Sequence, residues 1–226
     1  MTRVHIICEG QTEEQFISEV LAEAFWPKGI YLQPALIGRP GHKGGNLKFE
    51  RLYRDIELRL LGDKDALCTT FFDFYGLPED FPGKQEASQK RFAAERSCTV
   101  LDAMIEALCE KLGEAPLRRF IPYIQMHEFE GLLFSDPEAL SNNLDRSALA
   151  PLQQIRNSFT SPEEINNSPQ TAPSKRIQGI YPRYDKPLHG TLAALEMGTD
   201  SIRQACPLFS DWLERIEDKV TQMAGC

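Results

Sequence analysis

No stretch of this 226-residue chain approaches the roughly 20 consecutive apolar residues that span a bilayer. A membrane partner is therefore not expected. The first residues lack a basic segment followed by a signal-type apolar run, so a cytoplasmic location is the expectation. Cysteine is present six times (Cys8, Cys68, Cys98, Cys109, Cys206, Cys226), but no pair has the C-x-x-C spacing of a zinc knuckle. That usage fits a reducing compartment. Cys8 and Cys68 stand inside apolar runs and read as small buried hydrophobes. Basic residues are outnumbered, 25 Lys and Arg against 33 Asp and Glu, for a net charge of -8. A basic sheath around duplex nucleic acid is thereby disfavoured, because phosphate binding draws on clustered cations. The balance still allows a local basic groove, an acidic site that meets phosphate through metal ions, or charge that serves only solubility. No internal repeat or low-complexity tract occurs. No Ser or Cys has a convincing base partner, so nucleophilic catalysis fits poorly.

What is present is an alternation of strand-like and helix-like segments. Val4–Cys8 is a short apolar, β-branched run, the pattern of a strand buried on both faces. Gly10 permits a turn, Thr12 and Gln15 form a capping-box pattern, and a helix is expected over 13–25 with Phe16, Val20, Leu21 and Phe25 inward. Pro27 and Gly29 end it. A second strand is expected over 30–37, then a Gly-rich stretch from Gly38 to Gly45 with Arg39, His42 and Lys43. A helix over 49–61 follows, with Leu52, Ile56 and Leu60 at helical spacing, and a third strand over 66–72 runs into Asp73. Residues 76–90 read as loop, 91–112 as a long helix and 120–125 as a fourth strand. Beyond Asp136 the pattern changes to short helices (137–142, and one opening at Pro173), a Ser/Pro/Asn/Thr-rich loop over 157–174, and two helical stretches over 191–216. The expected fold is α/β, a mostly parallel sheet of about four strands flanked by helices. Residues 1–136 form the core, and residues 137–226 form a mainly helical extension that caps the sheet edge.

In such a sheet, right-handed crossovers bring all strand C-termini to one edge, where ligands bind. Glu9, Asp73 and the segment His127-Glu128-Phe129-Glu130 all fall there. Hard divalent cations take oxygen ligands, and Mg²⁺ is usually held by one or two carboxylates plus water and phosphate. Glu9 at the glycine turn reads as a ligand, against the plainer reading of helix-end electrostatics. Glu13 stands level between ligand and helix-end charge, and Glu14 reads as solvated. Asp73 sits amid aromatics, where a lone carboxylate is costly unless paired or metal-bound; its plain reading is a turn cap. One of Glu128 and Glu130 reads as ligand and the other as structural, with His127 as hydrogen-bonding support. The second His of a zinc-protease H-E-x-x-H motif is absent. A basic group, Lys175, Arg176, Arg183, Lys186 and His189, is interleaved with Tyr181 and Tyr184 and suits either a phosphate backbone with stacked bases or a solvated loop. Ser174 reads first as a helix N-cap.

The Glu9-Gly10-x-x-Glu13 turn after a first strand, with Asp73 after a later one, resembles the Toprim domain of primases, topoisomerases and overcoming-lysogenization-defect nucleases, and looks most like the nuclease branch. Two further segments, Asp73-Phe74-Tyr75-Gly76-Leu77-Pro78 and His127-Glu128-Phe129-Glu130, join Pro173-Ser174-Lys175-Arg176 in a fuller set. That set resembles a Toprim-like prokaryotic family, the domain of unknown function numbered four-two-seven-six, over about residues 3–190. The resemblance implies a parallel sheet and Mg²⁺-dependent (or Mn²⁺-dependent) phosphodiester chemistry, with Glu9 as metal ligand or general base. The Asp-x-Asp motif of Toprim enzymes is here Asp73-Phe74-Tyr75, so its second acid is missing.

The resulting expectation is a nuclease-like enzyme with Glu9, Asp73 and Glu128 catalytic. Glu13 and Glu130 are further candidate metal ligands, and Lys175, Arg176, Lys186 and His189 candidate phosphate contacts. Nucleic acid is the expected partner. Family members encoded beside ATPases imply an ATPase subunit and a defence-type complex. The alternatives are a non-catalytic subunit binding such an ATPase or nucleic acid, and a small-molecule phosphohydrolase. The sequence sets no oligomeric state.

Overall fold

The computed structural model describes residues 1–38, 47–166 and 168–225. Most of the Gly-rich stretch, with Arg39, His42 and Lys43, lies outside these residues, as does Cys226. In chain order the elements are β1 (Thr2–Cys8), α1 (Gln11–Phe16), α2 (Ala22–Phe25), β2 (Ile30–Leu36), α3 (Phe49–Gly62), β3 (Leu67–Phe71), α4 (Lys84–Gln89) and α5 (Ala93–Leu112). Then come α6 (Glu114–Leu117), β4 (Phe120–Ile121), α7 (Glu130–Leu133), α8 (Pro137–Asn142), α9 (Leu149–Asn157), α10 (Pro173–Ile180), α11 (Thr191–Ala205) and α12 (Pro207–Ala224). A π turn, Ile17–Leu21, joins α1 to α2, and a second, Lys186–Gly190, leads into α11. Among the described residues no helix is long and apolar enough to cross a membrane.

The protein is α/β. Among the described residues its sheet has four strands, all parallel, in the order β2-β1-β3-β4. β1 lies inside the sheet, which is why its last residues, Ile6, Ile7 and Cys8, are apolar and buried, while Arg3 and His5 nearer its start stay partly exposed. Alternation then sorts its side chains. Val4, Ile6 and Cys8 join one core with Phe16, Phe71, Tyr123 and Trp212, whereas Ile7 faces the other with Cys68, Phe72, and the inward residues of α3 and α5. The residues expected inward on the first two helical segments are all buried. The first core is closed by α12. Its Trp212 stacks on Tyr123 at 4.4 Å between ring centroids and donates from Nε1 to Thr69 Oγ1 at 2.8 Å. Buried Glu163 accepts from the Leu208 and Phe209 amides, both at 2.9 Å, and so caps the start of α12.

Several local expectations are corrected. The first helix begins at Gln11 with Gly10 as N-cap, so Thr12 and Gln15 make no capping box; Thr12 is buried instead. Residues 76–90 are not all loop, since α4 lies within them. The fourth strand pairs only over Phe120–Ile121, and Gln125 returns as an isolated bridge to Asp73. Pro122 donates no ladder hydrogen bond, which suits the early end of pairing. α9 had no counterpart in the sequence pattern. The N-cap of α10 is Ala172, with Pro173 at the first helical position, so Ser174 is not the cap.

Candidate functional site

The site grows from two neighbouring strand ends. Cys8 pairs with Phe71, so the chain leaves β1 and β3 side by side, carrying Glu9 and Asp73 onto the same edge. Two glycines make room for the carboxylates. A Cβ at Gly76 would overlap the Glu9 carboxylate, and one at Gly10 would stand 2.8 Å from Glu13 Oε2. Neither glycine has a positive φ, so space rather than backbone freedom is what each supplies. Gly76→Ala is therefore expected to displace Glu9 while leaving the fold intact. Its unfolding midpoint in urea should stay near the parent's, while any property that depends on Glu9 falls at least about 10-fold.

Beyond β3 the pairing with the 120s segment continues irregularly. Gln125 N donates to Phe72 O, Phe74 N to Gln125 O, and Tyr75 N to His127 O. His127 then takes φ 65°, the left-handed region that non-glycine residues seldom occupy. Its ring is buried against Tyr75 and Phe74 and meets Asn166 at Nδ1. This turn redirects the chain so that Phe129 N donates to Asp73 Oδ1 at 2.7 Å and Glu130 starts α7, 2% exposed.

Lys186, on the π turn before α11, reaches into this group. Its Nζ lies 3.0 Å from Glu13 Oε1, 3.2 Å from Asp73 Oδ2 and 3.4 Å from Glu130 Oε2. The last contact is an ion pair without hydrogen-bond geometry, for Glu130 Oε2 has no hydrogen-bond partner. Glu9 feels the same ammonium, which together with the neighbouring Asp73 backbone favours its charged form. Among the described residues four carboxylates thus share the Lys186 ammonium. Burial, followed by mutual repulsion, holds Asp73 well above the usual carboxylate range and also raises Glu9 and Glu130. Burial works to lower Lys186, but Asp73, Glu130 and Glu13 together push it well above its ordinary value.

The remaining candidates face elsewhere. Glu128 Oε2 accepts from Ser174 N at 2.9 Å, at the start of α10. Lys175 Nζ donates to Gln178, Arg176 Nε donates to Thr171 O and its guanidinium lies over Phe159, and His189 Nδ1 accepts from Asp185 N. Of the four basic candidates only Lys186 meets the acids. Sequence reasoning placed it with phosphate contacts; its 113-residue separation from Asp73 left no local signal of the ion pair.

Among the described residues the donor set is hard oxygen, more anionic than the Lys186 ammonium can neutralise, with one buried carboxylate oxygen, Glu130 Oε2, unbonded. That chemistry suits a divalent cation. Among the described residues, however, no three His, Cys, Asp or Glu side chains stand as a ready metal cage. Lys186 occupies the middle of the group.

No curated protein and no solved structure matches the chain. The family described as Domain of unknown function (DUF4276) matches residues 8–217, nearly the whole length, and the chain belongs to that family.

Proposed function

We propose that the protein is a metal-dependent, nuclease-like phosphodiester hydrolase. The observation that supports this reading is the gathering of Glu9, Glu13, Asp73 and Glu130 at the C-terminal sheet edge around one ammonium. In this reading those four carboxylates hold Mg²⁺ or Mn²⁺, beside the Lys186 ammonium or in its place. A bound divalent ion supplies charge stabilisation at a scissile phosphate and a water of lowered pKa. Glu9, half-buried and raised in pKa, would be the proton acceptor of the group. Phe129 N fixes Asp73 Oδ1, leaving Oδ2 directed at the cation position. The resemblance of the Glu9-Gly10-x-x-Glu13 turn to Toprim nucleases points the same way. The missing second acid of Asp-x-Asp has a counterpart in Glu130, which arrives from α7.

The test is Mg²⁺-dependent cleavage of DNA and of bis(p-nitrophenyl) phosphate. Glu9→Ala and Asp73→Ala are each expected to lower the rate about 100-fold or more while circular dichroism stays unchanged. Unchanged cleavage in both variants would remove the assignment, and a panel of nucleotides and sugar phosphates separates a nuclease from a small-molecule phosphohydrolase.

A second reading has its own observation. Lys186 already pairs with three of the carboxylates, as in a cluster that needs no metal. The protein would then be a non-catalytic subunit for an ATPase or nucleic acid. Calorimetry decides, because this reading predicts no heat with Mg²⁺ or Mn²⁺.

A further inference from the structure

The segment that carries Asp73 also walls a second space. Phe74 and Tyr75 line a cavity of about 530 Å³ together with Lys84, Arg96 and Glu128. That volume lies in the range of small-ligand sites. Lys84 is 4% exposed, yet among the described residues its Nζ bonds only the Phe74 carbonyl, and it lies 3.4 Å from the centre of the Phe74 ring. Among the described residues no carboxylate stands within ion-pair distance of Lys84 or of Arg96. Arg96 spends Nε on the Lys90 carbonyl. A buried ammonium without a counter-ion is costly, and burial accordingly brings Lys84 down to about 8. The acids at the cavity do not fill that role, since Glu128 is turned onto the Ser174 amide and Glu79 lies exposed at the rim.

This placement is built into the backbone. Gly83 caps α4 at φ 74°, and a Cβ there would meet Ala103 Cβ and Thr99 O at 2.8 Å. Only glycine lets the start of α4 lie this close to α5, which sets Lys84 of one helix beside Arg96 of the other.

We infer that the Lys84–Arg96 cavity is a phosphate subsite, taking the phosphate monoester of a nucleotide next to the acidic site. Lys84 supplies a point charge and Arg96 the guanidinium N–H groups left free by the Lys90 contact. The Tyr75 ring offers a face for a base. That the phosphate belongs to a nucleotide rests on the phosphodiesterase reading; that the cavity binds phosphate does not.

The experiment is calorimetry on the full chain with inorganic phosphate, adenosine 5′-monophosphate and adenosine, in EDTA so that no metal contributes. The parent is expected to bind phosphate, and to bind the monophosphate at least 10-fold more tightly than adenosine. Lys84→Met and Arg96→Gln should each weaken both phosphate ligands about 10-fold or more, whereas Asp73→Asn should not. Should Lys84→Met fail to fold, the half-buried Arg96→Gln carries the comparison. Absence of phosphate binding to the parent, or unchanged binding in Arg96→Gln, overturns the subsite. Binding retained in a protein that cleaves nothing supports the subsite while removing the phosphodiesterase reading.

Discussion

Lys186→Met is expected to cost about 3 kcal/mol of folding stability at pH 7, because it strips the Lys186 ammonium from a group of buried carboxylates. The parent has Glu13, Asp73 and Glu130 paired to that ammonium, and the substitution leaves each with a desolvated charge or a captured proton. The sign of the pH dependence follows. With Lys186 gone, the folded-state pKa values of Asp73, Glu130 and Glu9, raised already, rise further. The folded variant then binds more protons than its unfolded chain, so its stability increases as pH falls toward the ordinary carboxylate range. In the parent, Lys186 has a raised pKa and contributes its stability throughout the neutral region, losing it only above its unfolded value. Urea melts of both proteins at pH 7.5 and 5.5 should show the gap narrowing at the lower pH. A Mg²⁺ titration of the variant adds a sharper readout. If the four carboxylates can hold a divalent ion, Mg²⁺ should restore the unfolding midpoint of Lys186→Met more than it moves that of the parent.

The strands and the shared edge were legible in the sequence because they rest on local patterns. β1 sends Val4, Ile6 and Cys8 to one core and Ile7 to the other and reads as a mostly apolar run, and α3 keeps Leu52, Ile56 and Leu60 on one side. The juxtaposition of Glu9 and Asp73 follows from strand adjacency alone. What was not legible depends on contacts between distant segments. Thr12 looks like a cap, but its side chain is drawn into the interior and Gly10 takes the cap position, where a larger residue would press on Glu13. Glu128 and Glu130 are equivalent in a strand reading, two residues apart on one face. The left-handed turn at His127 separates them, sending Glu130 to Lys186 and Glu128 to α10. A single non-glycine residue at positive φ carries no sequence signal, because its cost is met by the surrounding contacts. Lys84 carries no sequence signal for the same kind of reason: α4 lies in a stretch whose Pro78, Pro82 and Gly83 read as loop.

The same His127 sets the second large expectation, a loss of stability in acid. Its ring is 1% exposed, and burial, with Arg96 and Lys84 nearby, holds its pKa down to about 3. The unfolded chain takes up a proton near 6.5, the folded one only near 3. The stability held by neutral His127 is complete above 6.5 and lost as pH falls through that window, by about 3 kcal/mol between 6.5 and 4 at 1.36 kcal/mol per pH unit. Other groups act in the opposite direction. Buried Glu163, raised to about 7, favours the folded state in acid and loses that contribution as pH rises through 7, and the raised carboxylates around Lys186 behave alike. The parent's own pH profile is therefore a sum of opposed slopes, and comparison with His127→Asn isolates one of them. Asparagine tolerates the left-handed backbone and does not titrate. At pH 7 the variant should be about 1–2 kcal/mol less stable, having lost the ring's contacts with Tyr75 and Asn166. As pH falls to 4 the parent loses its advantage and the two urea-melt curves should cross. Parallel curves across that range would mean that His127 protonates within the folded protein at little cost, and that the turn placing Glu130 does not depend on a neutral imidazole.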